Sequence, residues 1–136
     1  MSSRRILCIE DDADTCELLA TWLGLHNCLV TSASTMARGV ELAQQQPFDL
    51  YLIDSRLPDG TGVEVCNRIR TFDSHTPILF WSGDDEGDDH AYVAGAQAFI
   101  AKPIDPDPFM KTIERLLNAQ GKERRGRSDA ASSSAD

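Results

Sequence analysis

The sequence predicts an α/β fold: a (βα)5 flavodoxin-like doubly wound parallel sheet with strand order 2-1-3-4-5. Short apolar runs alternate with segments of helical periodicity along the chain, which is the pattern of repeated strand–helix units. Several of the runs are apolar throughout rather than alternating, as expected of strands covered on both faces. Right-handed crossovers between parallel strands then restrict the topology to that order.

Each element has its own signal. Ile6-Leu-Cys-Ile9 is the first strand. Asp11, Asp12 and Asp14 open a helix whose N-terminus favours negative charge, with Asp12 as its cap. Leu18, Leu19, Trp22 and Leu23 recur at helical spacing down to Gly24, a C-terminal stop. A weaker strand covers Leu29 to Ser32. The next helix starts near Ser34 or Thr35, buries Met36, Val40 and Ala43, and ends before Pro47. Phe48 to Ile53 is the third strand, and Leu57-Pro-Asp-Gly60 is a turn signal. Val63, Cys66 and Ile69 mark one face of a third helix, and Pro77 to Trp81 a fourth strand. A short helix ends near Gly95, Phe99 to Ala101 is the fifth strand, and Phe109, Ile113, Leu116 and Leu117 line a last helix after Pro108.

At 136 residues the chain is long enough for one core, and its 41% hydrophobic and 26% charged residues are ordinary for a globular domain. The net charge of −9 disfavours nonspecific binding to nucleic acid or an anionic membrane. No apolar run approaches the roughly 20 residues of a membrane span, and the start carries no secretory pattern, so a cytoplasmic location is expected. Cys8, Cys16, Cys28 and Cys66 lack metal-ligand spacing and read as small buried hydrophobes. His26, His75 and His90 are isolated, with no second ligand at helical spacing. Residues 1–120 are expected to form one domain. From Gly121 to Asp136 no apolar residue exceeds Ala, so a disordered polar tail is expected there, too short to be an output domain.

Function is concentrated at the strand ends. Glu10-Asp11, Asp54, Ser82 and Lys102 each follow an apolar run, and in a parallel sheet those ends open into one crevice. Three carboxylates there repel unless a cation neutralises them, and hard oxygen donors suit Mg²⁺, with Mn²⁺ as a substitute. Asp54 is the natural phosphoryl acceptor, since a carboxylate can attack phosphorus in line to give an acyl phosphate. Ser82 offers a hydroxyl donor to a phosphoryl oxygen, Gly83 keeps the approach open, and Lys102 supplies a compact positive charge. Pro103 fixes the loop that aims Lys102.

Ile-Leu-Cys-Ile-Glu10-Asp11-Asp12, Asp54-Ser-Arg-Leu-Pro58-Asp-Gly60, Ser82-Gly83, Gly95-Ala96 and Lys102-Pro103 together resemble the receiver domain of two-component response regulators, over about residues 4–120. The resemblance implies that Asp11 and Asp54 bind Mg²⁺ directly, with the Arg56 backbone carbonyl as a further ligand and Glu10 acting through water. It implies that Asp54 is phosphorylated by a histidine kinase or a histidine phosphotransfer protein. Ser82 and Phe99 would form the switch pair that carries the change to a downstream protein target. The chain departs from the family pattern in the bulky Trp81, a segment between Ser82 and Lys102 about two residues shorter than usual, and an acidic stretch at Asp84 to Asp89.

The expected product is a switch, not an enzyme, without direct nucleic-acid or membrane binding. The alternative is an aspartyl-phosphate phosphatase or phosphotransferase on a similar sheet. Such hydrolases usually place a second acid two residues after the nucleophile; here that position is Arg56. A flavin or nucleotide binder is opposed by Glu10-Asp-Asp12, which repels phosphate without a metal. Arg56 and Asp84 flank the crevice and would make a weak, salt-sensitive gate if they pair.

Overall fold

The computed structural model describes residues 3–82, 96–101 and 106–118, without the side chains of Ser82, Phe99 and Ala101. The chain runs β1 (Arg4–Ile9), α1 (Ala13–Gly24), β2 (Cys28–Ala33), α2 (Met36–Gln45), β3 (Leu50–Asp54), β4 (Arg56–Leu57), β5 (Gly60–Thr61), α3 (Gly62–Arg70), β6 (Ile78–Ser82) and β7 (Ala98–Ala101). A further helix, α4, covers residues 106–118. Five strands form one sheet in the order β2-β1-β3-β6-β7, all neighbours parallel. That is the predicted 2-1-3-4-5 order. The antiparallel β4–β5 ribbon was not predicted; it is the Leu57–Gly60 turn drawn into a two-residue ladder.

The continuous apolar runs are explained by two cores. Leu7, Ile9, Tyr51, Ile53, Ile78 and Phe80 face one cluster, shared with Met36 and Leu42 of α2 and Val65 and Ile69 of α3. Ile6, Cys8, Leu50, Leu52, Leu79 and Trp81 face the other, with Leu19 and Leu23 of α1 and Phe109, Ile113 and Leu117 of α4. Successive strand residues thus serve opposite faces, and β3 carries no charged side chain until Asp54. The Trp22 and Phe109 rings, 6.3 Å apart and tilted, join α1 to α4 on the second face.

Several boundaries differ from the sequence reading. Leu18 is 46% exposed, because the buried stripe of α1 runs through Leu19 and Leu23 with Cys16 and Trp22 beside it, and Leu18 lies off that stripe. On α3 the buried stripe is Gly62, Val65, Cys66 and Ile69, leaving Val63 partly buried. Helix α4 begins at residue 106, before Pro108, since first-turn amides have no intrahelical acceptor and tolerate proline. Asp12 occupies the N-cap of α1, but its carboxylate accepts from the Thr15 hydroxyl rather than from a backbone amide. Thr35 and Thr61 do cap α2 and α3, accepting from Arg38 N and Glu64 N. Among the described residues, no helix is long and apolar enough to cross a membrane.

Candidate functional site

In this sheet β1 is flanked by β2 on one side and β3 on the other, so strand order reverses between β1 and β3. That reversal is where an open α/β sheet leaves a crevice at its strand C-termini. Glu10 follows the last residue of β1, and its amide donates to the Ala33 carbonyl at 2.9 Å, carrying the β1–β2 pairing one residue further. Asp54 ends β3, in register with Trp81 of β6, and the next amide, Ser55 N, donates to Trp81 O at 3.2 Å. Both carboxylates are therefore fixed by ladder hydrogen bonds on each side of the reversal.

The two meet Asp11 there. One carboxylate oxygen from each of Glu10, Asp11 and Asp54 lies within 4.8 Å of the others. Glu10 is 2% exposed and Asp54 7%, while Asp11 is exposed. The Asp12 amide donates to Glu10 Oε1 at 3.2 Å, which directs that carboxylate across the top of β1. Three hard oxygen donors, two of them buried and one open to solvent, fit a divalent cation with water in its remaining positions. Buried carboxylates this close to one another favour a counter-charge between them.

The other expected site residues fall as follows. Ser82 is the last residue of β6 and pairs with Ala101, the last of β7; Phe99 pairs with Phe80. The chain after Ala101 continues with Lys102, so β3, β6 and β7 end in turn at Asp54, Ser82 and Lys102's neighbour. Arg56 opens the β4–β5 ribbon two residues beyond Asp54, with an exposed side chain. Lys102, Pro103, Gly83, the acidic stretch through Asp84 to Asp89, His90, the helix ending near Gly95 and the tail from Gly121 lie outside the described residues, as do the side chains of Ser82 and Phe99.

Three features of the site were not read from the sequence. Asp59, assigned only to a turn, accepts from Met36 N at 2.7 Å and Ala37 N at 3.0 Å, so the loop after Asp54 caps α2. The Met36 amide first, then that of Ala37, holds the Asp59 carboxyl below its usual range. Gly62 is required by close approach: a Cβ there would stand 2.5 Å from Asp54 O and 2.7 Å from Phe80 Cε1. Its amide donates to Ser55 O at 2.9 Å, which closes the loop after Asp54 onto α3. The third feature is a thiol at the edge of the cluster: Cys16 Sγ donates to Glu10 O at 3.4 Å. The Gly-Thr-Gly spacing at 60–62 was the available signal for Gly62; the other two needed the fold.

Known proteins match this arrangement. The response regulator receiver domain family covers residues 6–114. The chain is 34% identical over 128 residues to the response regulator protein PilR of Pseudomonas aeruginosa, covering 90% of this chain and 29% of that protein. It is 30% identical over 115 residues to the cell cycle transcriptional regulator CtrA of Caulobacter vibrioides, covering 83% of this chain and 50% of that one. It thus spans half or less of the length of these two relatives. Among solved structures, a CheY-like response regulator receiver domain protein from Methanospirillum hungatei superposes with a TM-score of 0.85 at 28% identity, covering 90% of this chain and 99% of the other. The non-phosphorylated HemR receiver domain from Leptospira biflexa gives 0.78 at 31% identity, covering 85% and 94%. With four-fifths of its length matched, the fold shared and the acidic cluster in place, the chain belongs to the response regulator receiver domain family of two-component signalling.

Proposed function

We propose that this domain is a phosphorylation-dependent switch that accepts a phosphoryl group on Asp54. The convergence of Glu10, Asp11 and Asp54 within 4.8 Å, at the end of the central strand, is the observation that carries this reading. Asp11 and Asp54 would hold Mg²⁺ (or Mn²⁺) directly, with the Arg56 carbonyl as a third protein ligand and Glu10 acting through water. When bound, the cation supplies charge neutralisation for the phosphoryl oxygens. Asp54 is buried and within 4.8 Å of Glu10 at the strand ends, and from there its carboxylate would make an in-line attack on phosphorus.

The donor is a phosphohistidine on a histidine kinase or histidine phosphotransfer protein. The Asp54 oxygen–phosphorus bond forms as the nitrogen–phosphorus bond breaks, and the imidazole leaves with a proton. Lys102 and the Ser82 hydroxyl would hold the transferred oxygens. Movement of Ser82 toward them would let Phe99 follow and alter a surface read by a downstream protein. Residues 1–120 would constitute the switch.

Incubation with acetyl phosphate and Mg²⁺ tests this. Intact mass should show one phosphoryl adduct, lost on adding EDTA beforehand and absent in Asp54→Ala. An adduct of undiminished yield in Asp54→Ala would remove the assignment.

A further inference from the structure

Helix α2 opens on amides that its own turns cannot satisfy, and the ribbon after Asp54 takes two of them. Asp59, at the tip of that ribbon, accepts from Met36 N at 2.7 Å and Ala37 N at 3.0 Å. The next two amides are served locally: Arg38 N donates to the Thr35 hydroxyl and Gly39 N to the Thr35 carbonyl. The Met36 side chain meets the ribbon as well, since a Cβ on Gly60 would stand 2.7 Å from its Cε and 2.8 Å from its Sδ. The base of the ribbon is tied elsewhere. Ser55 N donates to Trp81 O, Gly62 N donates to Ser55 O, and the Thr61 hydroxyl accepts from Glu64 N to cap α3. Arg56 lies between these two anchorages, paired with Thr61 across the ladder.

We propose, on the reading that the Arg56 carbonyl is a ligand of the divalent cation, that Asp59 is a positioning residue for that cation. By fastening the tip of the ribbon to α2, it holds the Arg56 backbone where a cation bound by Asp11 and Asp54 can use it. A ladder of two residues on each side is too short to keep its own shape, so its place is set by what it is tied to. A carboxylate suits this tie, because the open amides and the dipole at a helix N-terminus both favour negative charge. Asp59 acts through Arg56 and not on the cation itself. Linkage makes the effect reciprocal: if losing the tie weakens cation binding, cation binding must tighten the tie. Helix α2 carries none of the site's side chains, yet its first turn thereby responds to the cation.

The isotope-labelled full chain should be titrated with magnesium chloride and followed by its amide resonances. Asp59→Ala should raise the Mg²⁺ dissociation constant about fivefold or more, the lower end of couplings between linked sites. Asp59→Asn removes the same charge but keeps one acceptor oxygen, and should bind closer to wild type than Asp59→Ala does. Thr35→Ala removes the other side-chain cap of α2 without touching the ribbon, and should leave the constant unchanged. In the wild type, Mg²⁺ should slow hydrogen exchange at Met36 and Ala37 more than at Leu42, and Asp11→Asn should abolish that difference. Equal constants for wild type and Asp59→Ala would overturn the proposal while leaving the cation site standing. Asp59→Asn as weak as Asp59→Ala would reduce the effect to lost charge, and a matching loss in Thr35→Ala would reduce it to helix stability; either result overturns the proposal too. A wild type that binds no Mg²⁺ would overturn the cation reading and this proposal together.

Discussion

Neutralising Asp11 should make the metal-free protein more stable, not less. Its carboxylate stands within 4.8 Å of both Glu10 and Asp54. Two unit charges at such a distance repel by about 1 kcal/mol in bulk water and roughly 3 kcal/mol at the effective dielectric of a protein surface. Asp11 is exposed, so each of its two repulsions belongs toward the lower value, for a relief of about 2–4 kcal/mol. Against this, Asp11 precedes the N-terminus of α1, where a negative charge contributes about 0.3–1 kcal/mol. The repulsion wins, and Asp11→Asn should gain about 1–3 kcal/mol in urea denaturation with EDTA present. High salt should shrink the gain, because the Debye length falls to about 3 Å at 1 M. Mg²⁺ should narrow the gap, stabilising the wild type by about 1.4 kcal/mol at ten times its dissociation constant while leaving Asp11→Asn nearly unmoved. A variant less stable than wild type without metal would refute the reasoning, because the carboxylates would then be held by something other than an awaited cation.

The scaffold around the acceptor makes further predictions. Gly62→Ala puts a methyl group 2.5 Å from Asp54 O; overpacking of this kind costs about 1–3 kcal/mol, and the urea midpoint should fall together with phosphoryl uptake from acetyl phosphate. Asp59→Ala strips two amides of α2 of their acceptor and should lower the melting temperature, with exchange protection lost first at Met36 and Ala37. Asp73→Ala should cost about 1–3 kcal/mol, because the hydroxyl of the buried Tyr51 and the amides of His75 and Thr76 lose their shared acceptor. For Asp73 in the native protein, burial raises the carboxyl but hydrogen bonds from Thr76, then His75 and Tyr51, outweigh it and leave it below its usual range. A depressed carboxyl stabilises fully above the ordinary Asp range and loses that stabilisation as pH falls through its folded value. Urea midpoints taken downward from about pH 5 should therefore converge between wild type and Asp73→Ala.

The positions of Glu10, Asp11 and Asp54 were legible because each ends an uninterrupted apolar run, and strand polarity alone gathers strand ends at one edge. What could not be read was anything set by the angle between elements. Leu18 and Leu19 are equivalent by composition, and only the docking of α1 on the sheet decides that Leu19 is buried. The Asp59 cap on α2 joins residues more than 20 apart in the chain, a distance no turn rule spans. Cys16 reads as a small buried hydrophobe, yet it is only partly buried and bonds the Glu10 carbonyl, because a helix residue and a strand end share no periodicity that would mark their meeting. Strand bounds drifted by a residue or two where polar neighbours extend the ladder, as at Asp54 and Ser82.

Phosphorylation at Asp54 is the central claim, and trapping the acyl phosphate chemically tests it most directly. Borohydride reduces an aspartyl phosphate to homoserine, which survives proteolysis and is located by tandem mass spectrometry. After acetyl phosphate and Mg²⁺, homoserine should appear at position 54 and at no other acid, including Glu10, Asp11 and Asp12. Homoserine at Asp11 or Asp12, or phosphate retained on a hydroxyl with none trapped at Asp54, would contradict the account.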